Sequence, residues 1–63
     1  MKIGFIGLGN VGGKLSGSLL RNGVDLSVHD LDPALVERFV AQGARDGGDP
    51  AAMMRDCDAV ITC

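Results

Sequence analysis

The sequence predicts an α/β fold, a parallel sheet whose strands are joined by helical crossovers, and three observations carry that prediction. Short aliphatic runs stand near both ends of the chain, at Lys2 to Ile6 and at Asp58 to Thr62. Between them, two Asp-Pro steps each open a stretch of helical character. Strand and helix signals therefore alternate along the chain, and that alternation builds a parallel sheet with right-handed connections.

Taken in order, Ile3, Phe5 and Ile6 supply the bulk of the first run and Gly7 bounds it, which suits a strand buried on both faces. Val11, Leu15, Leu19 and Leu20 then recur at helical spacing, and Asn22-Gly23 supplies a left-handed stop. A helix of about three turns is expected there. Gly9, Gly12, Gly13, Ser16 and Gly17 leave that helix small at its start and along one side. Each glycine weakens a helix by ~1 kcal/mol relative to alanine, so the stripe makes sense only if something lies against it.

A second strand, Leu26 to His29, alternates weakly and ends at Asp30. Asp32 as N-cap and Pro33 at the first helical position then start a helix that turns Leu35, Val36, Phe39 and Val40 inward and ends at Gly43. From Gly43 to Gly48 the chain reads as a loop with at most a very short strand, Arg45 and Asp46 being solvated. Asp49-Pro50 opens a short helix to about Arg55 in which Met53 and Met54 are packing residues. Asp58 to Thr62 reads as a further buried strand.

Composition limits what such a chain can be. Sixty-three residues hold one domain at most, and ten glycines with only two aromatics leave little core, so a piece of a larger fold is expected. The net charge is −2 without any cluster of lysine or arginine, which argues against nucleic acid or an anionic membrane as partner. No apolar run nears the roughly 18 residues that span a bilayer, nor is there a signal-peptide core, and a cytoplasmic location is expected. Cys57 and Cys63 are too few for a metal site or a disulfide framework and read as reduced thiols in or beside a core. His29 has no nucleophile or metal partner in view and reads as an ordinary strand-end histidine.

The chemistry lies in Gly7-Leu8-Gly9-Asn10-Val11-Gly12, which fits G-x-G-x-x-G. That string alone is weak, but here a buried strand precedes it, a helix opens within it, and Asp30 stands about 20 positions on. The first glycine allows a sharp turn out of the strand, the second lets backbone approach a pyrophosphate, and the third lets helix and strand pack closely. Unpaired amides in the first turn of the helix then face the phosphates, with no basic side chain needed. Asp30 is placed to accept from both hydroxyls of an adenosine ribose, and a 2′-phosphate there would set two anions together. Leu31-Asp32-Pro33 brings no cation to relieve that repulsion, so the cofactor is expected to be NAD, with NADP disfavoured. The expected fold is the first part of a Rossmann-type dinucleotide-binding domain.

These residues resemble the amino terminus of the β-hydroxyacid dehydrogenase family, which contains 3-hydroxyisobutyrate dehydrogenase and 6-phosphogluconate dehydrogenase. The resemblance runs through Gly4 to Gly12, Leu15, Leu19-Leu20, Leu26 to Asp30, Gly43-Ala44 and Asp58 to Thr62. Val11 stands where that family usually has methionine, and Ser16 where it usually has alanine. The resemblance implies dinucleotide binding by the glycine turn, ribose selection at Asp30, and a cofactor contact at Thr62 and Cys63. Members using NADP commonly carry Asn-Arg-Thr at the ribose position, from which His29-Asp30-Leu31 departs toward NAD.

The resemblance also implies a catalytic lysine and a substrate-binding segment well beyond residue 63, for which neither Lys2 nor Lys14 can stand in. The chain is then expected to be the cofactor-binding portion of an NAD-dependent oxidoreductase for a small 3-hydroxy acid. Its parent enzyme is expected to be a homo-oligomer, and this part alone to lack catalytic competence. The alternative is a nucleotide-sensing regulatory module of the potassium-channel regulator type, similar in its glycine turn and its strand-end acid followed by Asp-Pro. Gly4-Phe5-Ile6-Gly7-Leu8-Gly9 favours the dehydrogenase, because those modules usually carry a bulkier aliphatic run before an alanine-containing turn.

Overall fold

In the computed structural model, which describes residues 1–63, every strand and helix expected from the sequence forms, with small shifts at the ends. β1 (Lys2–Ile6) leads through α1 (Asn10–Arg21) to β2 (Asp25–His29). α2 (Pro33–Ala41), β3 (Arg45–Asp46), α3 (Pro50–Asp56) and β4 (Ala59–Thr62) complete the chain. The four strands are all parallel in the order β3-β2-β1-β4. Lys2 to Ile6 pair with Asp25 to His29, and Ile3 to Ile6 pair with Ala59 to Thr62. This is the Rossmann arrangement, in which the chain leaves β1 to one side and later returns to pair on its other edge.

Each helix starts or stops for a reason visible in the sequence. Asp32 caps α2 by accepting from the Ala34 amide at 3.0 Å, and Asp49 caps α3 by accepting from the Ala52 amide at 2.8 Å. Gly23 and Gly43 take φ of +77° and +112° just past α1 and α2, a backbone region that favours glycine.

The two faces of the sheet are covered unequally. On one, Phe5, Leu26 and Val28 meet Leu8, Val36, Phe39 and Ala44, with Leu19, Leu20 and Leu35 packed around them. Strand alternation turns Gly4 to the other face, where only α3 lies. There the buried Met53 reaches the sheet, and a Cβ at Gly4 would stand 3.0 Å from Met53 Cε and 3.1 Å from Cys57 Sγ. The glycine makes room for the helix.

Several expected burials are corrected by the structure. Val40 is 41% exposed and Met54 69% exposed, because each follows a buried residue, Phe39 and Met53, and is rotated about 100° from it on the helix. Val11 and Leu15 are exposed on α1, which instead buries Gly12, Ser16 and Gly17. The strand expected to be buried from Asp58 starts at Ala59 and is an edge with Ala59, Ile61 and Thr62 exposed, since it pairs only with β1. Asp58 stands just before it, where its amide donates to the Lys2 carbonyl at 2.8 Å and its carboxylate accepts from the Lys2 amide at 2.7 Å. Arg45 and Asp46 form the very short strand that the sequence allows there, β3, both exposed, and Arg45 Nε donates to Asp25 Oδ1 at 2.9 Å on the surface. Cys57 is half-buried beside the core as expected, whereas Cys63, following an edge strand, is exposed.

These differences in burial predict different costs. Phe5→Ala should lower unfolding stability by about 3–5 kcal/mol, whereas Met54→Ala and Val40→Ala should each stay within roughly 1 kcal/mol. Urea titrations followed by far-ultraviolet circular dichroism check the ranking, and equal losses at Phe5 and Met54 would contradict this core.

Candidate functional site

At the carboxyl end of β1 the chain turns sharply and enters α1. Gly7 makes the turn with φ +97°, and its amide continues the β2 ladder by donating to the His29 carbonyl at 3.0 Å. On the other side the Cys63 amide donates to the Ile6 carbonyl at 3.0 Å, and a Cβ on Gly7 would collide with the Cys63 carbonyl. The turn is thus wedged between the ends of β2 and β4. Thr62, opposite Ile6 in register, and Cys63 are brought beside it.

Gly12 is required by packing, because a Cβ there would collide with the Gly7 carbonyl and lie 3.4 Å from the Phe5 ring. The first turn of α1 therefore sits directly on the turn that precedes it. Gly13 is nearly as tight, with the Leu8 carbonyl 3.0 Å from a Cβ at that position. Ser16 is fully buried in the same contact, and its hydroxyl donates to the Gly12 carbonyl at 2.8 Å. A serine is tolerated there because its hydroxyl is satisfied within its own helix.

Gly9 differs from both. A Cβ at Gly9 would meet nothing within 4 Å, so no contact within the chain explains a glycine there. Gly9 is also the N-cap of α1, and it supplies no side-chain cap where α2 and α3 each have an aspartate. The Gly13 amide is the first to find a helical acceptor, the Gly9 carbonyl at 2.6 Å, which leaves the amides of Asn10, Val11 and Gly12 without an acceptor in the chain. No acidic side chain occupies that first turn. Open space, missing Cβ and unpartnered amides at the positive end of a helix fit a phosphate group.

Asp30 completes the other side of the turn. Its Oδ2 accepts from the Leu8 amide at 2.7 Å and its Oδ1 from the Asp32 amide at 2.8 Å. The first of these bonds spans 22 residues and ties the glycine turn to the end of β2. An ionised carboxylate offers about four acceptor positions, so two remain for a ligand. The Leu8 amide is the main cause, and the Asp32 amide the next, that holds the Asp30 carboxyl below its ordinary value of 3.8; partial burial opposes them. The sequence located this aspartate but not its bond to Leu8, since no local pattern reports a contact 22 residues apart.

Two hollows adjoin Asp30. One, about 300 Å³, lies among Ile6, Gly7, His29, Asp30, Leu31 and Pro50; the other, about 270 Å³, extends past Pro33 and Val36 to Glu37 and Asp46. Neither contains a lysine or arginine. The largest cavity, about 550 Å³, is an open groove between α1 and α2 that adjoins the turn from its other side, where Leu8, Gly9 and Asn10 line it together with Lys14, Arg21 and Arg38. We locate the site at Asp30 because the turn, the bare amides and the ends of three strands converge there. Lys2 stands at the opposite end of β1 and Lys14 in the α1–α2 groove, so neither reaches the hollow beside Asp30. No group of three or more histidine, cysteine or acidic side chains is placed to hold a metal ion, and no helix is long and apolar enough to cross a membrane.

With that geometry in view, residues 2–63 match the family described as the NAD binding domain of 6-phosphogluconate dehydrogenase. The chain belongs to that family. NAD is its cofactor, and the relatives it matches include dehydrogenases. A probable mitochondrial 3-hydroxyisobutyrate dehydrogenase of Dictyostelium discoideum is 35% identical over 95% of this chain, a span that is 19% of the relative. The 3-sulfolactaldehyde reductase of Escherichia coli is 37% identical over 95% of the chain and 20% of its own length. The cytokine-like nuclear factor N-PAC of Pongo abelii is 37% identical over 98% of the chain and 11% of its own length. The chain therefore spans about one fifth or less of the curated relatives it matches.

Gly9 and Gly12 predict opposite effects. Gly9→Ala should change unfolding stability by less than about 1 kcal/mol yet weaken NAD binding, whereas Gly12→Ala should cost about 1–3 kcal/mol by overpacking. Denaturant titration beside calorimetric NAD titration separates them. Asp30 adds a pH dependence whose sign follows from its lowered pKa. Its stabilisation is fully present above the unfolded value near 3.8 and is lost as pH falls through the lower folded value. Asp30→Asn should therefore narrow the stability difference between pH 7 and pH 3, as urea midpoints at the two pH values would record.

Proposed function

We propose that this chain is the cofactor-binding portion of an NAD-dependent dehydrogenase acting on a small 3-hydroxy acid. The observation that carries the proposal is the uncapped start of α1, with Gly9 beside open space and three unpartnered amides, directly after a turn whose Leu8 amide donates to Asp30 at the end of β2. In this reading Gly7, Leu8, Gly9, Asn10, Val11 and Gly12 hold the pyrophosphate through backbone. Asp30 accepts from the adenosine ribose hydroxyls, and Thr62 and Cys63 border the cofactor beyond β4. When bound, NAD supplies the hydride acceptor at its nicotinamide ring. What the chain itself does is bind and orient that cofactor.

Preference for NAD over NADP is supported by charge. Besides Asp30, the hollows contain Glu37 and Asp46, with His29 as their one basic side chain and no arginine or lysine, so a 2′-phosphate would meet three carboxylates and no permanent counter-charge. The 3-hydroxy acid class is supported by relatives named 3-hydroxyisobutyrate dehydrogenase. One relative, N-PAC, carries a name that states no dehydrogenase activity, so dinucleotide binding is the broader level of the proposal and hydride transfer the narrower.

The test of cofactor choice uses Asp30→Asn, which keeps one acceptor oxygen and removes the charge. The ratio of NADP to NAD dissociation constants should fall by on the order of 10-fold. An unchanged ratio would remove the ribose assignment. For the substrate class, NAD reduction by the full-length protein should be supported by 3-hydroxyisobutyrate or a close 3-hydroxy acid, and a panel of such acids in which none is oxidised would overturn it.

A further inference from the structure

The Asp30 carboxylate does more in this fold than present itself to a ribose. Among residues 7–10 the only hydrogen bond to a side chain is the one from the Leu8 amide to Asp30 Oδ2, at 2.7 Å. A donor bonded to an ionised acceptor makes one of the stronger hydrogen bonds in a protein. The second carboxylate oxygen is held at 2.8 Å by the Asp32 amide, so the group is gripped from both sides and its plane is set before any ligand arrives. Leu8 in turn has its side chain buried in the core, 2% exposed, between two glycines with little conformational preference of their own. Next to it the Gly7 amide is bonded to the His29 carbonyl at 3.0 Å. Two adjacent bonds thus hang the turn on the end of β2, one from backbone and one from a charged side chain.

We propose that Asp30 is the positioning residue of the phosphate-binding turn as well as its ribose acceptor, so that one carboxylate aligns the backbone amides for the pyrophosphate and reads the adenosine ribose. The inference rests on the NAD-binding reading and goes further, because it gives Asp30 an effect on parts of the ligand it does not touch. Removing the carboxylate frees the Leu8 amide and lets Gly7 to Asn10 sample other conformations. The amides of Asn10, Val11 and Gly12 then lose their common alignment. Any exchange at position 30 made to admit NADP carries the same penalty for the pyrophosphate.

The experiment compares NAD with an analogue whose adenosine ribose is 2′,3′-dideoxy, which has no hydroxyls to donate to Asp30. Calorimetric titrations of the full-length protein use the wild type, Asp30→Ala and Asp30→Asn. If Asp30 positions the turn, Asp30→Ala weakens the dideoxy analogue on the order of 10-fold, and Asp30→Asn, with one acceptor oxygen left, recovers part of that loss. Binding of the dideoxy analogue that is equal in wild type and Asp30→Ala would restrict Asp30 to the ribose and overturn the inference. Hydrogen exchange at the Leu8 and Gly9 amides gives a second readout without ligand. It should accelerate in Asp30→Ala while β1 and β2 amides stay protected, and unchanged exchange at Leu8 overturns the inference even if NAD binds normally. A wild-type protein that binds no NAD instead removes the underlying reading, and the first titration shows it.

Discussion

The contact between the first turn of α1 and the backbone leaving β1 is the constraint on which the rest of this structure depends. Gly12 lies so close to the Gly7 carbonyl that no side chain fits between them, and the Phe5 ring closes the same space from below. That closeness places the start of the helix over the end of the strand and aims its bare amides at the carboxyl edge of the sheet. It also explains why α1 buries Gly12, Ser16 and Gly17 while Val11 and Leu15 face outward. A helix packed through its small residues has the shortest distance to the sheet.

Helix capping is divided accordingly. α2 and α3 begin with aspartates whose carboxylates occupy helix amides. An aspartate at position 9 would occupy the same amides in α1 and repel a phosphate, so the one helix expected to meet an anion begins with glycine. Acidic residues are not excluded from the neighbourhood, since Asp30 binds the Leu8 amide one turn earlier in the backbone. The negative charge is placed where it can organise the turn without covering the amides that follow Gly9. An acidic chain thereby leaves the first amides of α1 free of any carboxylate cap.

The two faces of the sheet place the site at its edge. Seven buried residues form a single core under α1 and α2, whereas α3 covers the other face mainly through Met53 over Gly4. β1 is central because it pairs with β2 and β4, and its carboxyl end is where the connections diverge to opposite faces. A crevice at that position follows from the topology. Thr62 and Cys63 lie beside the turn because β4 runs parallel to β1 in register with Ile6, which brings the carboxyl ends of both strands level.

Much of this was legible in the amino-acid order. The strand, the glycine string, the helix caps at Asp32 and Asp49, and Asp30 at the end of β2 are local patterns, set by φ preferences, capping chemistry and hydrophobic period. The family follows from the same residues. What the sequence left open depends on neighbours far along the chain. Val40, Met54 and the β4 residues look apolar enough to be buried, and only the packing of α2, α3 and the sheet edge decides that they are exposed. The tie from Leu8 to Asp30 was equally invisible, because 22 residues separate its ends and folding alone brings the amide to the carboxylate. By itself the sequence determined which residues turn, cap and present amides; the tertiary structure decided which of them touch, because contact depends on how β1, β2 and β4 come to lie side by side.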